Sequence, residues 1–189
     1  MNLPNKLSIL RVLLIPVMVL LMYIPGIVPI LLSTAVFGVA AFTDFMDGYI
    51  ARRDNIVTDF GKFIDPVADK LLNLSAMIML TMCGQMPHYV VLVVLARELA
   101  VDGLRMVAVG QGRVIAAGKL GKIKTVSQMV LIIVLMLAGR LVSAIPALNI
   151  LQLPVQIVGW LGCAWVAFIT IWSGVDYFIR NKDCISNVK

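Results

Sequence analysis

The sequence predicts an all-α, polytopic membrane protein of six transmembrane helices. Three observations carry that prediction. The 189 residues are 61% hydrophobic and only 14% charged, with a mean hydropathy of +0.99, which lies outside soluble composition. Apolar runs repeatedly approach the roughly twenty residues that a helix needs to cross the hydrocarbon layer. The chain also lacks the alternating strands that could close a barrel, and only helices or closed barrels satisfy their backbone hydrogen bonds in lipid.

The first helix is expected over 7–24. Lys6 and Arg11 precede an apolar run from Val12 to Ile24, as in a secretory signal, but no small-x-small cleavage site follows and the next apolar stretch begins almost at once. An uncleaved first crossing is the better reading. Pro25-Gly26 ends it, and a second helix is expected over 28–53, with a break at Gly61. The third is expected over 63–83, up to the turn residues Gly84 to Pro87, and the fourth over 88–110. Gly110 to Gly121 reads as a connection, followed by a fifth helix over 124–143, a break from Pro146 to Pro154, and a sixth helix over 154–180. No repeat, linker or low-complexity segment interrupts the chain, so 1–189 is expected to be a single membrane domain, with a solvated basic tail at 181–189 to which no role is assigned.

An even number of crossings puts both termini on one side, and the basic residues say which. The N-terminus, the 52–62 loop, the 111–124 loop and the tail hold nearly all of them, whereas Arg140 alone falls near the other side. Those segments are therefore expected to be cytoplasmic. The net charge of +6 collects on that face, where it favours anionic headgroups. Cys83, Cys163 and Cys184 show no metal-binding or disulfide spacing and read as apolar filler. His88 is the only histidine and stands beside Pro87 in an expected loop, which disfavours a histidine metal site or a histidine base.

Against this apolar background, the stretch from Phe42 to Lys70 holds Asp44, Asp47, Asp54, Asp59, Asp65 and Asp69, more than half of the ten acidic residues. Asp44 and Asp47 are spaced i, i+3, and Asp65 and Asp69 are spaced i, i+4, so each pair lies on one face of its own helix. If the two antiparallel faces meet, four carboxylates converge near the cytoplasmic end of the bundle. Clustered anions in a low-dielectric setting need a positive partner. Oxygen donors without His or Cys favour Mg²⁺, Mn²⁺ or Ca²⁺ over zinc or copper, and bridging carboxylates suggest two ions, which suits phosphoryl transfer. The competing reading has these aspartates cap helices, pair with Arg52, Arg53 and Lys62, or face water; matched spacing in four of them weighs against it. Gly48, Ala51 and Gly61 leave side-chain-free surface beside the acids where a base or diphosphate could approach, although small residues also serve close helix packing.

The pattern Asp44-x-x-Asp47-Gly48-x-x-Ala51-Arg52, eight further residues, then Gly61-x-x-x-Asp65-x-x-x-Asp69 resembles the signature of the CDP-alcohol phosphotransferase family, with all eight of its positions present within 26 residues. The likeness extends through Pro4 to Ser8 with Arg11, through Arg97-Glu98 and Arg105, and through Lys119 to Thr125. It is greatest to bacterial members whose acceptor is glycerol 3-phosphate. The resemblance implies transfer of a phosphatidyl group from CDP-diacylglycerol to that acceptor, with release of CMP, in a bacterial cell membrane and in a homodimer. It implies Asp44, Asp47 and Asp65 as ligands of a divalent metal, Mg or Mn, and Asp69 as a ligand or as the base that takes the hydroxyl proton. Asp47, Gly48, Ala51, Arg52 and Gly61 would face CDP-diacylglycerol, with Asn5 and Ser8 nearby; the family often has Thr where this chain has Ser8.

A site just inside the cytoplasmic boundary keeps acyl tails in lipid and the nucleotide wet. Glycerol 3-phosphate is a dianion, so its pocket should be basic. Arg105, Lys119, Lys122 and Lys124 share the cytoplasmic face with the aspartates and are the candidates, with Arg as a fork and Lys as a mobile point charge. Arg97, Glu98 and Asp102 are expected to pair among themselves. Two rival readings remain: another acceptor, such as inositol phosphate, phosphatidylglycerol or serine, and a divalent-cation transporter. The basic 119–124 segment disfavours serine, and the lack of acids at the bilayer centre disfavours a transport path.

Overall fold

The computed structural model describes the backbone of residues 3–54, 59–113, 115, 116 and 118–186, and the side chains of 7–43, 64–113, 115, 116 and 118–184. Every regular element among them is helical. In chain order these are α1 (Leu3–Tyr23), α2 (Ile27–Asp54), α3 (Asp59–Met82), α4 (His88–Gly110) and α5 (Lys119–Val134). A π-helical turn (Leu135–Gly139) leads into α6 (Arg140–Ala144), a 3₁₀ segment (Pro146–Leu151) leads into α7 (Gln152–Arg180), and α8 (Asp183–Ser186) ends the chain.

The expected helices are all present, but three breaks move. Gly61 lies inside α3, Gly121 lies inside α5, and Pro154 lies in the first turn of α7. A helical glycine costs about 1 kcal/mol relative to alanine, which packing readily offsets. At Gly121 the reason is visible, because a Cβ there would stand 3.4 Å from Arg97 Nη2. Proline in a first turn gives up an N–H that has no intrahelical partner anyway. The tail also departs from expectation: Cys184 is buried, and Gln111 Nε2 donates to its carbonyl at 2.9 Å, tying α8 to the end of α4.

Two continuous stretches, Lys119–Ala144 and Pro146–Arg180, are long and apolar enough to cross a bilayer, and α1 and α2 add shorter apolar runs over Leu7–Tyr23 and Ile27–Thr43. Large apolar side chains line the outside. On α7 these include Trp160, Trp165, Phe168 and Trp172, all at least half exposed. An aqueous solvent would penalise such a surface, whereas lipid does not. This is a helical membrane protein.

The helices pack as two groups. α1 lies against α2 and α3, while α7 lies against α4 and α5, and α3 bridges to α4 and α5. One apolar core runs through both, from Met18 and Phe37 through Leu72, Met77 and Leu80 to Val90, Val94, Ile132, Met136 and Val166. A smaller cluster joins Val101, Leu104 and Ala108 of α4 to Tyr177 and Cys184. Arg140, expected as a lone basic residue near the far side, is buried: Nη2 donates to the Met22 carbonyl at 2.9 Å and Nη1 to Ser33 Oγ at 3.3 Å. It satisfies a carbonyl in the last turn of α1, which the helix itself leaves without a partner.

Candidate active site

α3 supplies one wall. Its residues Asp65, Asp69, Asn73 and Met77 recur every four positions and so form a single row. Ser8 of α1, itself fully buried, donates to Asp65 Oδ1, which sets the first acid against the first helix. Asn73 Nδ2 donates to Asp69 Oδ1 and to the Asp69 carbonyl, both at 2.9 Å. A buried amide in an apolar helix is costly unless bonded, and here its hydrogen bonds orient the carboxylate.

Asp69 opens onto a cavity of about 480 Å³ enclosed by α3, α4, α5 and α7. Cations dominate its lining. Lys70, Arg97, Arg105, Lys122 and Lys124 contribute positive charge, against Asp69, Glu98 and Asp176. Several are compensated locally. Lys70 pairs with Asp102, Glu98 receives both Lys124 and Arg97 Nη1, the latter at 3.3 Å, and Asp176 pairs with Arg180 at 2.8 Å. Arg105 differs: its Nε donates to the Tyr177 hydroxyl at 3.1 Å, and among the described residues no carboxylate pairs with it. Gln128, also in the lining, donates from Nε2 to Met77 Sδ at 3.2 Å. The chamber can therefore accept a small anion beside a carboxylate able to receive a proton.

Of the residues singled out from the sequence, Ser8, Asp65 and Asp69 are brought together, and Arg105, Lys122 and Lys124 line the adjoining cavity. Lys119 is exposed at the first position of α5 and is not part of the lining. Lys124 is not a mobile point charge, because it is buried and fixed to Glu98. Asp102 does not join Arg97 and Glu98; it pairs instead with Lys70 across the α3–α4 contact. The side chains of Asn5, Asp44, Asp47, Gly48, Ala51, Arg52 and Gly61 lie outside the described residues. Sequence reasoning missed Lys70, Asn73, Gln128 and Tyr177. Gln128 stands one turn from Lys124 on the same face, a usable signal; Tyr177 carries none that separates it from other aromatic residues of α7.

The model of the family described as CDP-alcohol phosphatidyltransferase matches residues 1–172. The chain belongs to this family. A CDP-diacylglycerol–glycerol-3-phosphate 3-phosphatidyltransferase of Bacillus subtilis is 39% identical to it, over 97% of this chain and 97% of the relative. One of the same name from Rickettsia typhi is 41% identical, over 96% and 97%. A probable phosphatidylglycerophosphate synthase of Mycobacterium tuberculosis is 36% identical, over 100% and 85%. Members of the CDP-alcohol phosphatidyltransferase family generally depend on a divalent metal. Among the described residues no group of three or more His, Cys, Asp or Glu is clustered, and Asp65 and Asp69 supply the described part of the motif's donor set. That set is all carboxylate oxygen, which fits a hard divalent cation.

Proposed function

We propose that the protein is a CDP-diacylglycerol–glycerol-3-phosphate 3-phosphatidyltransferase of the bacterial cell membrane. It transfers the phosphatidyl group to a hydroxyl of glycerol 3-phosphate and releases CMP, a step of phospholipid synthesis. The observation that carries the reading is the shared cavity, in which Asp69 faces a cation-rich lining that includes Arg105, which no carboxylate among the described residues pairs with. Near-full-length similarity to relatives bearing that name supports it.

Asp44, Asp47, Asp65 and Asp69 would hold two divalent ions, Mg or Mn. When bound, such ions neutralise the diphosphate oxygens and the departing CMP. The chain's own residues do the rest. Asp69, oriented by Asn73, takes the proton of the attacking hydroxyl, and Ser8 steadies Asp65. Arg105, Lys122 and Lys124 hold the acceptor phosphate, and Asn5, Ser8, Asp47, Gly48, Ala51, Arg52 and Gly61 face CDP-diacylglycerol. Six crossings in one domain, with both termini cytoplasmic, place this machinery at the depth of a lipid phosphate. Burial of Arg140 supports that orientation, because it removes the one basic residue counted toward the opposite side. A homodimer follows from the family resemblance, and the mass of the protein in nanodiscs tests it.

The deciding experiment measures CMP release by protein purified into nanodiscs, given CDP-diacylglycerol and Mg²⁺ or Mn²⁺, with and without glycerol 3-phosphate. Release that requires both metal and glycerol 3-phosphate is expected. Release only with a different alcohol would preserve the chemistry and overturn the acceptor.

A further inference from the structure

Arg105 on α4 and Tyr177 on α7 both line the cavity, and they meet across the contact between those helices. Arg105 Nε lies 3.1 Å from the Tyr177 hydroxyl oxygen, and the guanidinium carbon stands 5.6 Å from the ring centroid. Tyr177 is itself firmly placed, being only 6% exposed and packed with Val101, Leu104 and Ala108. An arginine has five N–H donors in a planar fork. The bond to Tyr177 occupies the one on Nε and leaves the two terminal nitrogens, the pair that grips a phosphate through parallel hydrogen bonds. It also restrains a side chain that carries about 2 kcal/mol of rotamer entropy. Three other cavity cations are held by anions: Lys124 and Arg97 by Glu98, and Lys70 by Asp102. Arg105 is instead held by a neutral hydroxyl, which orients the guanidinium without neutralising it.

We infer that Tyr177 is a positioning residue for acceptor recognition: its hydroxyl and ring hold Arg105 so that the two terminal guanidinium nitrogens meet the phosphate of the acceptor. The inference rests on the acceptor reading above. It gives Tyr177 a role in selecting phosphorylated alcohols, because a mispositioned Arg105 loses phosphate affinity while the reacting groups around Asp69 stay in place.

The test uses the full-length protein in nanodiscs and the variants Tyr177→Phe, Arg105→Ala and the double mutant. Phenylalanine keeps the ring and its packing and removes only the hydroxyl. The Tyr177→Phe variant is expected to raise KM for glycerol 3-phosphate about tenfold, the scale of one lost hydrogen bond to a charged group. Its KM for CDP-diacylglycerol and its kcat should stay within about twofold of the parent. The double mutant should be no worse than Arg105→Ala alone, since the hydroxyl acts only through the arginine. An unchanged KM for glycerol 3-phosphate, a fall in kcat alone, or additive effects in the double mutant would each overturn the inference. KM does not depend on the fraction of active molecules, so partial loss of folded protein leaves the result readable. Failure of the parent protein to use glycerol 3-phosphate at all would overturn the acceptor reading and this inference with it, and is distinguished by appearing before any substitution is made.

Discussion

Arg105 and Arg140 are both drawn into the bundle, and they are held in contrasting ways. Arg140 follows the π-helical turn, about 30 Å along the helix from the start of α5 at Lys119. Its guanidinium is spent on the protein, on the Met22 carbonyl and Ser33, so that α1, α2 and α6 are tied together. Arg105 gives up one donor to Tyr177 and lines a cavity with the remainder. A buried charge whose donors reach protein acceptors is a structural tie. A charge held by a neutral group at a cavity wall keeps donors that, on the proposed function, meet the acceptor phosphate. On the proposed function, the same residue type thus serves stability at Arg140 and recognition at Arg105.

That contrast can be broken by substitution. The largest effect belongs to the acid row of α3: Asp65→Ala or Asp69→Ala should lower CMP release by about a thousandfold or more, with the protein still inserted and folded by size-exclusion and thermal melting. Normal turnover by either variant would remove the metal and proton-transfer roles. Next, Arg105→Ala should raise KM for glycerol 3-phosphate by roughly thirtyfold while changing KM for CDP-diacylglycerol far less. Equal effects on both substrates would show that Arg105 ties helices together as Arg140 does. Arg140→Met should do the reverse, lowering stability by about 2 kcal/mol, visible in the melting temperature, with KM for both substrates unchanged. A selective KM effect there would erase the distinction. The smallest change is expected from Gly121→Ala, where the helix gains about 1 kcal/mol of propensity and the new Cβ meets Arg97 Nη2 at 3.4 Å. Stability should shift by under about 1 kcal/mol, with a slight rise in KM for glycerol 3-phosphate if Arg97 is displaced.

Much of this architecture was legible in residue order. Apolar runs punctuated by Pro25-Gly26, by Gly84 to Pro87 and by the connection expected from Gly110 to Gly121 mark the main helix ends to within a few residues, because a turn must use residues that helices tolerate poorly. Single glycines misled at Gly61 and Gly121, since a glycine within a well-packed helix costs little. The acid row was legible through its spacing, and so was the basic character of the adjoining segment. Which cations are compensated was not. Lys124 and Lys119 are alike in sequence, yet one is buried on Glu98 and the other is exposed.

Composition and periodicity alone therefore determined a helical membrane protein, the row of Asp65 and Asp69, and a charged segment at the start of α5. Those properties are local, since they depend on side-chain polarity and on the repeat of a single helix. The tertiary structure decided the partners: Ser8 with Asp65, Asp102 with Lys70, Glu98 with Lys124, and Tyr177 with Arg105. Those pairs join residues 26 to 72 positions apart in the chain, and only the packing of α1 on α3 and of α7 on α4 brings two of them within reach. No spacing rule along one helix reports such a meeting, because it depends on how separate helices rotate and settle against one another.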